Sequence, residues 1–445
     1  MPFRQNLSQW FSFMFSRSYP LCNFAVALAL LLLISLSLTS NLFGFDDWPF
    51  WRGPDRNDKS SETGLLKQWP EDGPTQLWVN KKSGLGYSGF AISGDELFTM
   101  GLEDEKEFAL CLNALTGEEI WRENLGDGYV NNWGDGPRST PTLAGDQIFV
   151  MAAGGDLVCL NKSDGKQVWS VNMEDLGGKA PKWGYAESPL VDGEKVICTP
   201  GGGECTMVAL NRKTGDKIWQ SPPVTKKLED GSDTEPSSAH YSSVMPMNLN
   251  NRRQYVQLTV QAVIGVDADT GEQLWQSDWP GRTAVIPSPI VDQDKVYITS
   301  GYGVGSKLLQ IGDDNSVSEL WYTKAMQNHH GGVIKVGEHF YGSSAQAWVC
   351  QNQADGENVW ADRKIKKGAV VYADGMFYHV EEKSGRVLLI QASPESHSIV
   401  SSFKLSPQTK RRKPKGRIWV HPVVANGKLY LRDQEIIVCY DIKSP

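Results

Sequence analysis

The stretch that decides the fold is LNALTGEEIW (112–121), because the chain repeats its pattern. The other copies are LNKSDGKQVW (160–169), LNRKTGDKIW (210–219), VDADTGEQLW (266–275) and the weaker QNQADGENVW (351–360). In each copy, Asn or Asp is followed by a polar stretch ending at Gly, and then by an aliphatic residue and Trp. Asn or Asp before a Gly that tolerates positive φ is typical of hairpin turns. Each copy is therefore predicted to be a β-hairpin.

A second hairpin is predicted upstream of each copy, for example in SPLVDGEKVICT (188–199) and SPIVDQDKVYIT (288–299). Two hairpins make one four-stranded unit. The units close at Trp78, Trp121, Trp169, Trp219, Trp275, Trp321, Trp360 and, in a degenerate copy, about Val400, with spacings of 39 to 56 residues. Such a period with four strands per unit predicts a β-propeller, in which each sheet packs against its neighbours. The repeated Trp is expected to cover the gap between adjacent blades.

The ends of the chain indicate the number of blades. The C-terminus has three predicted strands, RIWVHPVV, KLYLRD and EIIVCYDI, and the segment GPTQLWV (73–79) precedes the first complete unit. Pairing this early strand with the last three closes the ring and removes an exposed sheet edge. We therefore predict an all-β fold, an eight-bladed propeller of four-stranded antiparallel blades, which occupies residues 75–445.

Three segments are predicted to precede the propeller. Residues 1–20 are basic and contain no acidic residue, and the apolar run that follows makes residues 21–43 a signal peptide or an uncleaved signal anchor. Residues 44–74 are rich in Trp, Pro and Gly without a helix or strand period, which favours an ordered extended cover. The propeller is thus expected outside the cytoplasm, in the periplasm or anchored to the membrane through its N-terminal segment.

Charge argues against nucleic acid as the main partner, because the formal net charge is −8. The insertion KRRKPKGR (410–417) resembles a nucleic-acid or nuclear-targeting patch when taken alone. In an exported chain we interpret it as a solvated loop.

The cysteines follow the repeat. Cys111, Cys159, Cys350 and Cys439 each lie two residues before the Asn or Asp position, where other repeats have Ala209 and Gly265. A small-residue position in a packed sheet predicts buried free thiols. Cys198 and Cys205 flank TPGGGE and leave a disulfide open as an alternative. No His or Cys spacing predicts a metal site.

Candidate ligand-binding residues are the polar ones that precede the innermost strand of each blade, since these positions converge on the mouth of the central channel. They are Arg138, Glu187, His240, Tyr241, His329 and His330. Carboxylate, imidazole and guanidinium groups together suit acid–base chemistry or anion recognition. The alternative is that a wet channel is simply lined by polar residues. No catalytic residue is assigned.

The order SPLVDG, KVICT and VALNRKTGDKIW resembles the pyrroloquinoline-quinone-like (PQQ-like) repeat, and the region from about Trp48 to Pro445 is similar to an eight-bladed propeller of the quinoprotein dehydrogenase superfamily. The opening DWPFWRGPDRNDKSSETGL is similar to a leader of exported repeat proteins of planctomycete-type bacteria. The same propeller serves redox enzymes and scaffolds such as the β-barrel assembly lipoprotein of the outer membrane.

What this resemblance implies for activity depends on residues that the chain lacks. The quinone enzymes present adjacent cysteines, calcium ligands and an Asp base, and this sequence has no Cys-Cys pair. We therefore favour a binding or scaffolding module of the cell envelope, with a protein partner or a small polar or sugar ligand. The alternatives are a quinone- or metal-dependent oxidoreductase acting on an alcohol or sugar, with PQQ and calcium, and a carbohydrate-binding or carbohydrate-cleaving propeller.

Overall fold

The computed structural model describes residues 47–445, so the predicted export signal at residues 1–43 lies outside the described part of the chain. Within residues 47–445, no helix is long and apolar enough to cross a membrane. These residues form a compact unit of eight four-stranded antiparallel sheets, and this confirms the predicted eight-bladed propeller.

The 32 strands of residues 47–445 follow the repeat, four to a blade. In chain order they are β1 Gln76–Asn80; β2 Ala91–Ser93, β3 Glu96–Glu103, β4 Lys106–Asn113, β5 Glu119–Asp127 (blade 1); β6 Thr142–Ala144, β7 Gln147–Met151, β8 Asp156–Asn161, β9 Gln167–Asn172 (blade 2); β10 Leu190–Asp192, β11 Lys195–Cys198, β12 Val208–Asn211, β13 Lys217–Gln220 (blade 3); β14 Met245–Leu249, β15 Arg252–Leu258, β16 Ala262–Asp267, β17 Gln273–Asp278 (blade 4); β18 Ile290–Asp292, β19 Lys295–Ser300, β20 Gly305–Ile311, β21 Val317–Thr323 (blade 5); β22 Val333–Val336, β23 His339–Ser343, β24 Trp348–Asn352, β25 Asn358–Asp362 (blade 6); β26 Gly368–Ala373, β27 Met376–Glu381, β28 Arg386–Gln391, β29 Ile399–Lys404 (blade 7); and β30 Val423–Ala425, β31 Lys428–Asp433, β32 Ile436–Asp441 (blade 8). A short 3₁₀-helix spans Glu174–Leu176.

Blade 8 closes the ring as predicted. Strand β1 is its outermost strand and pairs antiparallel with β32, so that Val79 faces Val438 and Trp78 faces Cys439. The first and last strands of the propeller thereby share one sheet.

The repeated motif forms the outer hairpin of its blade, and its Asn builds the turn. The Asn113 side chain accepts hydrogen bonds from the backbone N–H groups of Leu115 and Thr116, at 2.8 and 3.0 Å. Gly117 follows with φ +74° and packs against the Trp78 ring of the preceding blade, where a Cβ atom would lie 2.4 Å from the indole. Only glycine meets both conditions, which explains why the motif keeps this residue.

Most of the repeated Trp residues bridge two blades. The indole N–H donates to a backbone carbonyl in the outer hairpin turn of the next blade; the pairs are Trp78 with Ala114, Trp121 with Lys162, Trp169 with Arg212, Trp219 with Ala268 and Trp321 with Gln353, at 2.8 to 3.1 Å. Each bridge thus combines apolar cover with a hydrogen bond between neighbouring sheets.

Trp275 and Trp360 do not make this bridge. The Trp275 indole donates to Gln254 of its own blade at 2.8 Å, and the buried Trp360 indole nitrogen has no hydrogen-bond partner. The next blade explains the difference, because blades 5 and 7 replace the repeated turn with GDDNS (312–316) and ASPESHS (392–398). The bridge therefore depends on the turn of the neighbour as much as on the Trp.

The small-residue position predicted from the cysteines lies opposite the repeated Trp. Cys111 pairs with Trp121, Cys159 with Trp169 and Cys350 with Trp360, and Gly265 takes the same place opposite Trp275. These cysteines are buried free thiols. A Cβ atom on Gly265 would lie 2.0 Å from the Trp275 ring, which explains why this position is glycine in blade 4. Blade 5 has Leu308 opposite Trp321, so the small residue is not required in every blade.

Cys198 and Cys205 are also free, buried thiols in the structure, so the disulfide left open from the sequence is not formed there. Cys198 pairs with Val208 inside the sheet of blade 3, whereas the Cys205 thiol lies 3.3 Å from the carbonyl oxygen of Leu176, in the preceding loop. The turn between them directs the two thiols to different neighbours. Burial raises the pKa of Cys205 to about 11.

Residues 47–60, here called the plug, close the channel at the end where the inner hairpin turns lie. Hydrogen bonds join the plug to most blades: Trp48 to Ile92, Pro49 to Leu143, Arg56 to Ser188 and Pro189, Arg52 to Val333, and Asp58 to Tyr372. Residues 61–69 continue across the inner turns of blades 7 and 8. The extended segment predicted as a cover therefore also fills the channel, which the sequence did not indicate.

Candidate functional site

The channel is open at the other end, where the loops before the innermost strands form a funnel with a cavity volume of about 260 Å³. Its wall is mainly aromatic and comes from the loops of many blades: Tyr87, Trp133, Trp183, Tyr241, Tyr302 and Trp419. Ser188, Ser243 and Thr283 add hydroxyl groups. A concave, largely apolar site with a few converging polar groups is what ligand-binding pockets have in common.

Four of the six candidate residues meet in this funnel: Arg138, Tyr241, His329 and His330. They come from the loops before blades 2, 4 and 6, which lie far apart in the sequence. The propeller brings them together because every blade begins at the same end of the channel.

His329 and His330 form one wall with Trp419. The His330 ring stacks on the Trp419 indole with centroids 4.4 Å apart and an angle of 15° between the planes, and the two His rings are 3.8 Å apart. Burial lowers the pKa of His329 to about 3, with a further contribution from Lys367, and lowers that of His330 well below its ordinary value. Both rings are therefore neutral at physiological pH and present flat, uncharged faces.

The hydrogen bonds of His329 fix its tautomer. Lys367, next to Glu382 at 3.7 Å, donates to Nδ1, so the ring hydrogen must lie on Nε2. Nε2 then donates to the Tyr302 hydroxyl oxygen at 2.7 Å. The Tyr302 hydroxyl hydrogen remains free to donate to a ligand in the funnel.

Arg138 belongs to the neighbouring part of the wall, next to the loop that carries Trp133. Its guanidinium donates to the backbone carbonyls of Gly134 and Gly136 and lies 4.8 Å from the centre of the Tyr129 ring. Burial lowers its pKa. The loop that carries Trp133 is thus folded around Arg138, which holds this aromatic wall in place.

The floor of the funnel comes from the plug and blade 8. The Trp51 ring lies 4.6 Å from that of His421, whose Nδ1 faces Asp58 at 3.3 Å and whose Nε2 faces the carbonyl oxygen of His330 at 2.9 Å. Both ring nitrogens thus face oxygen acceptors. Asp58 also binds Arg52 at 2.5 Å, so a buried carboxylate in contact with Arg52 and His421 anchors the floor.

Glu187 and His240 do not line the funnel. Glu187 is buried and accepts hydrogen bonds from the backbone and hydroxyl of Thr199 and from the backbone of Val244, which joins blades 3 and 4. His240 has φ +47°, and its Nδ1 accepts from the backbone of Val285 at 3.4 Å. Position along the chain does not determine where a side chain points: Glu187 turns into the junction of blades 3 and 4, and His240 has a left-handed backbone. Neither residue therefore lines the channel mouth as expected.

Sequence reasoning missed much of the aromatic wall. Trp133 and Trp183 lie within loops of irregular length, and Tyr302 lies in a turn between the second and third strands of blade 5. The available signal was that Trp133 and Trp183 are out of phase with the repeated Trp. Trp133 and Trp183 lie 6.2 Å apart and Trp183 is 5.8 Å from Tyr241, so these residues form a continuous surface.

The residues of the funnel do not fit the quinone with calcium that the quinoprotein resemblance implies. Calcium prefers oxygen ligands from carboxylates and carbonyls. Among the described residues that line the funnel there is no Asp or Glu, and the described cysteines lie in the blades or beside the loop at Leu176 instead. The polar groups present are hydroxyls, imidazoles and one guanidinium, which provide no carboxylate ligand for calcium.

Fold and repeat together define an eight-bladed propeller of the PQQ-like repeat class. A family model described as outer membrane protein assembly factor BamB matches residues 105–362, more than half of the chain, and the chain belongs to this family. No curated protein matches it in sequence.

Solved structures show the same fold. BamB from Moraxella catarrhalis has a TM-score of 0.59 and 16% identity over 83% of this chain and 98% of that chain. The quinohemoprotein alcohol dehydrogenase from Comamonas testosteroni has a TM-score of 0.61 and 11% identity over 90% of this chain and 81% of that chain. The computationally designed Ika8 protein has a TM-score of 0.54 and 10% identity over 83% of this chain and all of that chain. At these identities the likeness concerns the fold alone.

Proposed function

We propose that the protein is a binding module of the cell envelope and that it holds its ligand or partner in the aromatic funnel. The observation that carries this proposal is the aromatic-walled funnel itself, with its uncharged His pair and the free hydrogen of the Tyr302 hydroxyl. Such a site offers stacking surfaces and a few hydrogen bonds, which is the chemistry of recognition.

Two further observations support a role in the envelope. The first is the basic segment followed by an apolar run at residues 1–43, which is typical of an export signal or anchor. The second is membership of a family named for assembly of outer membrane proteins. On this proposal the propeller lies outside the cytoplasm and contributes to assembly by holding another molecule.

The test uses fluorobenzene, a neutral ring that probes the aromatic funnel without the charges of the rim. Its fluorine NMR signal is followed in the presence of the full-length protein. We expect saturable broadening that Ala186→Trp abolishes, because this substitution fills the funnel wall. Ala354→Trp is the matched control, since Ala354 is exposed in an outer hairpin turn at the other end of blade 6. Equal binding by both variants would place recognition outside the funnel.

A second assay of the full-length protein tests the alternative that it is a quinone-dependent dehydrogenase. Full-length protein is incubated with PQQ, calcium, an alcohol and an electron-accepting dye. We expect neither stoichiometric quinone binding nor dye reduction, because the funnel lacks carboxylate ligands for the cation. Tight binding with turnover would replace the binding-module proposal with an oxidoreductase.

A further inference from the structure

The basic insertion 410–417, interpreted from the sequence as a solvated loop, lies at the rim of the funnel. Gly416 packs against the Tyr87 hydroxyl and the backbone of Trp133, and the Lys415 ammonium lies 5.5 Å from the centre of the Trp133 ring. Lys182, from the loop before blade 3, lies 5.2 Å from the centre of the Trp183 ring. Because these two indoles are 6.2 Å apart, both ammonium groups flank one mouth.

The acidic groups beside this part of the rim are already neutralised. Asp135 pairs with Lys413 at 3.1 Å, and Asp433 pairs with Arg412 at 2.5 Å. Glu382 accepts the Trp419 indole hydrogen and pairs with Lys367. Within the described residues Lys182 and Lys415 have no ion-pair partner, and both are exposed. The rim is therefore locally positive on a protein whose net charge is −8.

From solvent inward, the site is first cationic and then aromatic. A matching ligand has a flat apolar group that enters the funnel and negative charges next to it that remain at the rim. The positive groups are spread along a loop and around the mouth, which fits a chain of several charges better than a single carboxylate. The floor made by Trp51 and His421 limits the depth, so that one ring enters while the rest of the ligand stays at the rim.

We propose that the funnel rim recognises an acidic peptide segment of a partner protein, with one aromatic side chain of that segment inserted in the funnel. This inference rests on the proposed binding function and names the class of partner. The aromatic side chain packs against the continuous aromatic surface formed by Trp183, Trp133, Trp419 and His330. Neighbouring Asp and Glu residues contact Lys182 and Lys415.

The probe is a fluorescein-labelled Glu-Asp-Phe-Asp-Glu peptide, titrated against the full chain with fluorescence anisotropy as the readout. We expect binding that weakens as salt is raised, because the charges are exposed and screened. Replacing Phe by Ala in the peptide should weaken binding about tenfold or more, as expected for loss of a buried aromatic anchor. Phenylacetate and an anionic oligosaccharide serve as competitors.

The protein variant that tests the rim is Lys182→Glu with Lys415→Glu. We expect about a tenfold increase in Kd, since each exposed ion pair contributes modestly and repulsion adds to the loss. The matched control reverses Lys166 and Lys213, which are exposed in outer hairpin turns at the other end, and should bind as the unmodified chain does. Circular dichroism confirms that both variants are folded.

Equal binding of the Phe and Ala peptides, or equal effects of the two double reversals, would overturn the inference. The inference would also be overturned if no peptide binds while phenylacetate or the oligosaccharide displaces fluorobenzene from the funnel. That result would assign the site to a small acid or a glycan. If fluorobenzene binds the funnel and no peptide does, only the class of partner is wrong. If neither binds, the proposed function fails as well.

Discussion

The contrast between Trp321 and Trp360 gives a quantitative test of how blades are joined. Both Trp residues are half-buried on the outermost strand of adjacent blades, and both face a Tyr at 6.0 Å, Tyr297 and Tyr341 respectively. The Trp321 indole donates to the carbonyl of Gln353 at 2.8 Å, whereas the Trp360 indole nitrogen is buried without an acceptor. Replacing either Trp by Phe removes a similar apolar area, but only Trp321→Phe also removes a hydrogen bond between blades.

The expected free energies follow from that difference. Leaving a buried acceptor unpaired costs about 1–3 kcal/mol, so Trp321→Phe should lower the free energy of unfolding by about 2 kcal/mol. Trp360→Phe also removes an unpaired buried donor, which offsets the lost packing, so its change should be about 0–1 kcal/mol. The measurement is chemical denaturation followed by far-ultraviolet circular dichroism, because both variants alter Trp fluorescence. Equal losses for the two variants would refute the hydrogen-bonded bridge as a contributor to stability.

Three further predictions concern the floor, the blade junction and the funnel wall. Asp58→Asn leaves the buried Arg52 guanidinium without its counter-ion and His421 without its carboxylate partner, and it should cost about 3–5 kcal/mol. Denaturant titration measures this, and a loss below about 1 kcal/mol would contradict a buried Arg52–Asp58 pair that anchors the floor. Burial raises the pKa of Glu187 to about 7, so the folded chain holds a proton that the unfolded chain has released. Stability should therefore fall as pH rises from the unfolded pKa through about 7, and Glu187→Gln should remove this dependence in thermal melts at a series of pH values. Replacing both His329 and His330 by Ala should weaken fluorobenzene binding about tenfold without unfolding the chain; binding to the unmodified chain should not change between about pH 5 and 8, because both rings are neutral there.

The repeat made most of the fold predictable. Each turn with Asn or Asp and Gly specifies its own hairpin through local hydrogen bonds, as Asn113 does, so the pattern can be recognised without tertiary information. Closure of blade 8 followed from counting strands, because an unpaired edge is unfavourable. Blades 5 and 7 lack the repeated turn, and the Trp residues of the blades before them, Trp275 and Trp360, make no bridge.

The site was less predictable because it consists of departures from the repeat. Arg138 and His329, which precede innermost strands, line the funnel, but the direction of a side chain at such a position depends on the local backbone, as His240 with φ +47° shows. Trp133 and Trp183 come from loops whose length and path no period describes. The buried guanidinium groups of Arg52 and Arg56 hold the plug in the channel by donating to carbonyls more than 130 residues away in the chain. Local sequence patterns do not reveal contacts of that separation.

Closure of the ring by β1 has a consequence for biosynthesis. Strand β1, which seals blade 8, is made before every other described strand, and its partner β32 is made after all of them. Until β32 has been made, β1 has no sheet to join and its edge, with Leu77 and Val79, is unpaired. Seven blades can assemble in order behind it, but the ring closes only when β32 arrives. A chain truncated before β32 should therefore remain an open, aggregation-prone array, so ring closure requires that the whole propeller has been synthesised.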